Sequence, residues 1–214
     1  NTNEHIGTGN YAVSNHNLKY TWYTTQTWYT ANSHATNSKE LDQFFDDSNT
    51  GVAFGGTGFH DDVIDWGTVT ATNLPPAYVP ADYYSWMVEG YIYLPTTGEY
   101  NFALNSDDAS DLFVDNKVCA TYYGPHGFSA AYTGISRTFT AGWYKFRARF
   151  EEGGGGDGII VSWMKPGDAV FSVIPASQFS AMNYDLGKVG QAGDFTDAST
   201  ELLMTNDILL NSNT

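Results

Sequence analysis

Cysteine is almost missing from this 214-residue chain, where Cys119 stands alone. No intrachain disulfide can form, and no thiolate cluster can hold a metal. Set in the strand-like run "LFVDNKVCATYY", Cys119 reads as a small buried hydrophobe rather than a reactive thiol. Positive charge is scarce too: 9 Lys plus Arg stand against 24 Asp plus Glu, a formal net charge of -15. Such a surface repels phosphate backbones and anionic lipid, which argues against nucleic acid and against direct membrane insertion as partners. No apolar run reaches the roughly 18 residues of a membrane-spanning helix. There is no N-glycosylation sequon, and the opening "NTNEHIGTGN" has neither an initiator Met nor a signal-peptide pattern, so the chain reads as a mature fragment or a segment of a longer protein. Export is compatible with the lack of disulfides, because bound calcium can stabilise an extracellular domain instead.

Long runs of Ala, Leu, Glu and Lys are also absent, whereas aromatics reach 16% and glycines number 22. That balance predicts a large all-β sandwich or barrel with one or two short helices. The polar, aperiodic residues 1–17 read as an N-terminal arm, 18–178 as the domain, and 179–214 as an extension that packs on the body or leads to a following domain. Leu18 to Thr30 reads as an aromatic strand region in which TWYT occurs twice. In "KELDQFFDD", Leu41, Phe44 and Phe45 share a helical face, which predicts a short helix or single turn capped by Ser38. "GVAFGGTGFHDDVIDWGTV" reads as turn-rich, and from Tyr83 strand follows strand between Gly-bearing turns. Asp115-Asn116-Lys117 is hairpin chemistry of the I′ type. "TELLMTNDILL" reads as a C-terminal helix or a last strand.

Two loops carry unusual acids. In "NSDDASDLFVDNK", Asp107 and Asp108 are neighbours at the head of a strand, where successive side chains point to opposite faces. Turn chemistry accounts for such a pair taken alone. A second loop, "EEGGGGDG" from Glu151 to Gly158, also ends a strand and adds Asp157. Loops at one end of a sandwich converge, so the two would form an oxygen-rich concavity of the kind calcium takes, with glycines free to turn their carbonyls inward. A cis Asp107–Asp108 peptide would bring adjacent Cα atoms from about 3.8 to about 2.9 Å apart, on one side, so that both carboxylates could hold one ion. Asp61, Asp62 and Asp65 suit turns, with a second structural ion as the alternative.

From Trp66 to Val118, through the "TGEY" turn (Thr97 to Tyr100) and "SDDASDLFVDNK", then "AGWY" (Ala141 to Tyr144) and "VSW" (Val161 to Trp163), the chain resembles the PA14 domain family. The likeness covers about Leu18 to Pro175 and is nearest to the calcium-dependent lectin domains of large bacterial surface adhesins. It implies Asp107 and Asp108 as paired Ca2+ ligands joined by a cis peptide. Asp157 is implied as a side-chain ligand, with carbonyls from Gly155 or Gly156; the all-glycine loop lacks the Asn of the yeast members. The implied function is calcium-dependent carbohydrate binding by an extracellular adhesin module, monomeric within its larger protein and attached to biofilm or cell-surface glycans. Vicinal hydroxyls of a neutral sugar such as fucose, glucose or mannose would complete the coordination, with Tyr122, Tyr123 and His126 lining the sugar.

Two other functions compete. Glu151, Glu152, Asp157 and Asp108 could supply a glycosidase acid and base. The chain has neither G-x-S-x-G nor H-E-x-x-H and its five histidines are scattered, so no enzyme is expected. Gly153 to Gly158 match G-x-G-x-x-G but precede a strand, which excludes a dinucleotide site. The remaining alternative is a peptide-binding or structural module that calcium only rigidifies.

Overall fold

Alternation of apolar and polar side chains makes strands of most of the chain in the computed structural model, which is described over residues 17–66, 82–128 and 132–181. The strands are Leu18–Thr24 (β1), Ala53–His60 (β2), Asp65–Trp66 (β3), Tyr84–Leu94 (β4), Gly98–Asp107 (β5), Ser110–Val114 (β6) and Lys117–Tyr122 (β7). Tyr132–Thr133 (β8), Arg137–Phe139 (β9), Gly142–Glu152 (β10), Gly158–Met164 (β11), Ser172–Val173 (β12) and Phe179–Ser180 (β13) follow. Two short helices, Gln26–Asn32 (α1) and Ser38–Asp42 (α2), precede β2. One sheet runs β2-β1-β4-β10-β6-β7 with β13 beside β4; the other runs β12-β11-β5-β8, with β3 on β11 and β9 on β5. The strand pairings among described residues are antiparallel, giving the expected all-β sandwich.

Even-numbered residues of β4 and β10, among them Tyr84, Trp86, Val88, Phe146, Ala148 and Phe150, share one buried cluster with Phe102 and Leu104 of β5 and Ile159, Val161 and Trp163 of β11. Trp86 and Phe150 lie 5.9 Å apart between ring centroids, so large aromatic areas leave water together. Cys119 is fully buried as expected, and burial pushes its thiol up to about 11. Asp115 and Asn116 adopt φ of 55° and 58° between the paired Val114 and Lys117, the I′ turn that the sequence predicts.

Odd-numbered residues of β4 and β10 face outward, and at one end of the sheet the two helices cover them. Leu41 and Phe44 bury there with Ala35 and Ala109, against Trp28, Tyr29, Phe45 and Tyr123. Three expectations are corrected here. The second TWYT belongs to α1, not to a strand that continues to Thr30: β1 ends at Thr24, whose neighbour Thr25 donates its N–H to Tyr83 and accepts from Tyr29 to open the helix. Asn37, not Ser38, caps α2, its side chain accepting the Glu40 N–H at 3.0 Å. The glycine-rich stretch after Val52 is a full strand, β2, because Gly55 and Gly58 leave room for the rings of Trp22 and Tyr20 on β1; a Cβ would come within 2.3 and 2.4 Å of them. Residues 1–16 and the "TELLMTNDILL" segment lie outside the described residues.

Candidate functional site

β5 leaves one sheet at Asp107 and β6 enters the other at Ser110, so the intervening residues pass across the seam of the sandwich. The Asp107–Asp108 peptide there is cis. Asp107 is paired with Gly158, the first residue of β11. On the opposite side the Asp108 N–H donates to the Glu151 carbonyl at 3.3 Å, and the Glu151 N–H donates to Ala109 at 3.0 Å. The Ser106 hydroxyl donates to the Asp108 carbonyl at 2.7 Å, which closes the crossing from below. Both acidic loops thus meet at one rim. Oxygens of Asp107, Asp108 and Glu152 lie within 4.8 Å of one another.

Glu152 is the member of this cluster that sequence reading did not place there. It is the last residue of β10 and falls in the inward-facing alternation of Ala148 and Phe150, so the side chain is fully buried beside the aspartates. Among the described residues, neither of its carboxylate oxygens has a hydrogen-bond partner. Burial, then the charges of Asp108, Asp107, Asp157 and Glu151, pushes its carboxyl up to about 10. Burial and then Asp108 likewise raise Asp107. The signal for Glu152 was present in the "EE" doublet: in a strand, one of two adjacent glutamates must face the interior.

Asp108 is held from two loops. The His126 N–H donates to its Oδ1 at 3.0 Å, and the Gly153 N–H donates to its Oδ2 at 3.2 Å. His34, from the turn between the helices, places Nδ1 3.1 Å from Glu151 Oε1 and 3.5 Å from Asp108 Oδ2, while Nε2 meets the Tyr29 hydroxyl at 2.8 Å. Burial disfavours charge on His34, yet its hydrogen bond to Glu151 and the charges of Glu151, Asp108 and Asp107 outweigh that and raise its pKa. Glu151 is raised by burial and opposed by His34, and its Oε2 has no partner among the described residues.

The remaining predicted residues divide. Asp157 is buried and accepts the Tyr84 hydroxyl at 2.7 Å; burial raises its pKa, and it stands outside the three-carboxylate cluster. Gly155 and Gly156 are exposed, and Gly155 takes φ 114°, a conformation that favours glycine. Tyr122 and His126 stack nearly parallel, 7° between ring planes. Tyr123 turns to the helical layer instead, its hydroxyl donating to Asp111 Oδ2 at 3.1 Å. Asp111 itself is buried against Arg149, with Nε–Oδ1 at 2.9 Å and Nη2–Oδ2 at 2.7 Å, and Arg149 also reaches Asp42 and Ser38 of α2. This bidentate pair fastens the helical layer to the sheet beside the site. Asp61 and Asp62 serve local structure, accepting from Asn17 and Val63.

A cluster made only of carboxylates, two of whose buried oxygens lack partners among the described residues, is a donor set for a hard cation: without one, burial and mutual repulsion force protons onto it. The PA14 domain family model matches residues 14–175. The chain belongs to the PA14 domain family. Its fold is similar to that of the PA14 domain of the MpAFP antifreeze protein, at 18% identity and a TM-score of 0.60, over 78% of this chain and 91% of that one. A PA14 sugar-binding domain from an RTX adhesin matches at 18% identity and a TM-score of 0.58, over 77% and 98%. The A domain of epithelial adhesin 9 from Candida glabrata, solved with Galβ1-4GlcNAc, matches at 14% identity and a TM-score of 0.58, over 80% and 91%. Identities this low establish the shared fold alone. A search of curated proteins gives no match.

Proposed function

We propose that this PA14 domain is a calcium-dependent lectin domain of an extracellular adhesin, a binding module rather than an enzyme. The observation that carries the reading is the convergence of Asp107 and Asp108 on buried Glu152, neither of whose carboxylate oxygens has a hydrogen-bond partner among the described residues. These three carboxylates would hold Ca2+, with Asp157 and the carbonyls of Gly155 or Gly156 as further oxygens from the second loop. When bound, the ion offers coordination positions that two vicinal hydroxyls of a neutral sugar can fill. The chain's own part is to fix the donors. His126 and Gly153 orient the Asp108 carboxylate through their N–H groups, and the stacked Tyr122–His126 pair forms a wall beside it. The RTX adhesin's sugar-binding PA14 domain and the Candida adhesin domain solved with Galβ1-4GlcNAc support glycans as the partner class.

Thermal unfolding in calcium and in chelator, each with fucose, glucose, mannose and galactose, tests the reading. Calcium should raise the midpoint, and one sugar should raise it further only when calcium is present. Stabilisation by calcium with no response to any sugar would instead favour a peptide-binding or structural module.

A further inference from the structure

Asp82 stands at the rim of the site without belonging to the carboxylate cluster. Its Oδ1 accepts the Gly155 N–H at 3.0 Å. The same oxygen and the Tyr83 hydroxyl each lie 3.7 Å from where a side chain on Gly154 would begin. Asp82 is half-buried and close enough to Asp157 for the two charges to repel. Its other oxygen, Oδ2, accepts no hydrogen bond among the described residues. The neighbouring Gly153 N–H is bound to Asp108, so one short glycine loop joins Asp82 to the cluster.

Charge then becomes a selection rule. Three carboxylates outweigh the two charges of a divalent cation, and Asp157 and Asp82 add to the excess, so the filled site stays negative. We infer that Asp82 is a specificity-determining residue that sets the charge class of the sugar, favouring an amino hexose over its neutral parent and rejecting the corresponding uronate. The inference rests on the lectin reading above. A 2-amino sugar keeps the 3,4 hydroxyl pair for the ion while its ammonium group meets the open carboxylate oxygen. A uronate brings a second anion to the same rim.

Calorimetric titration in calcium, near pH 6 where the amine is protonated, compares galactose with galactosamine, N-acetylgalactosamine and galacturonic acid, and repeats the series for glucose and mannose. The amino sugar should bind about two- to fivefold tighter than its parent and the uronate weaker by a similar factor, the range of a partly exposed ion pair. High salt should erase both differences; Asp82→Asn should erase the amino-sugar preference and lessen the uronate's disadvantage, with Asp82→Ser as the second variant if the amide disturbs Gly155. The N-acetyl sugar has the bulk without the charge and should follow the parent. An amino sugar no tighter than its parent, an N-acetyl sugar that matches the amino sugar, or a preference that survives in both Asp82 variants overturns the inference. If no parent hexose binds in calcium, the lectin reading falls and takes this inference with it; parent binding without the charge ranking sinks the inference alone.

Discussion

An oxygen of Glu152 lies within 4.8 Å of one of Asp108, although the first residue closes a strand of one sheet and the second follows a strand of the other. The structure therefore concentrates like charge where sequence-distant loops meet.

Replacing Glu152 with Gln should separate stability from ion binding. In chelator at neutral pH the variant should be more stable by on the order of 2 kcal/mol, because the folded chain no longer has to bind a proton at that position. In calcium the advantage should vanish, since one charged donor is lost. Paired denaturation curves in chelator and in calcium decide the point. A variant that gains as much from calcium as the parent does would remove Glu152 from the ligand set.

The pH dependence follows from the same groups. Glu152, Glu151, Asp107 and Asp157 all have folded pKa values raised above the ordinary carboxyl range. A raised acid contributes its stability below the unfolded pKa and loses it as pH climbs through the folded value. As far as these groups are concerned, the chelated domain should thus be most stable at about pH 4 and below, and weaken as pH rises toward the Glu152 value of about 10. Calcium should reverse the slope over the neutral range, because it binds the deprotonated carboxylates. Unfolding midpoints from pH 5 to pH 9, with and without chelator, would show the crossing or its absence.

Arg149 and Asp111 should behave as one unit. Truncating either to Ala leaves a buried charge and should cost about 3–5 kcal/mol, whereas replacing both by Met and Leu should recover much of the loss. A double-mutant cycle by chemical denaturation measures the coupling. A double variant whose loss equals the sum of the two single losses would refute a shared cost.

Cys119 should resist thiol reagents in the native state and react at the ordinary rate once denatured, because it is fully buried and its thiol is pushed up to about 11. Reaction with a chromogenic disulfide, with and without denaturant, tests this directly.

The strand runs after Tyr83, the I′ turn at Asp115-Asn116 and the convergence of the two acidic loops were legible because each depends on local chemistry: alternation, left-handed turn residues, and acids beside glycines. What escaped depended on partners far away in the chain. The two TWYT segments have one sequence and two structures: the first pairs with β2 and β4, and the second follows Thr25, whose N–H donates to Tyr83 where the helix opens. Gly55 and Gly58 read as turn residues until the rings of Trp22 and Tyr20 are known to need their space. Tyr123 looked like a site residue by its neighbourhood in sequence, yet Asp111, buried by the packing of α2, claims its hydroxyl. Glu152 was visible as an acid, but its burial emerged only from the register of β10.

The cis Asp107–Asp108 step and the loop from Glu152 to Gly158 are both places where the chain changes sheets. The carboxylates thus sit on the joint between the two layers, and an ion held there would act as a rivet across the seam of the sandwich.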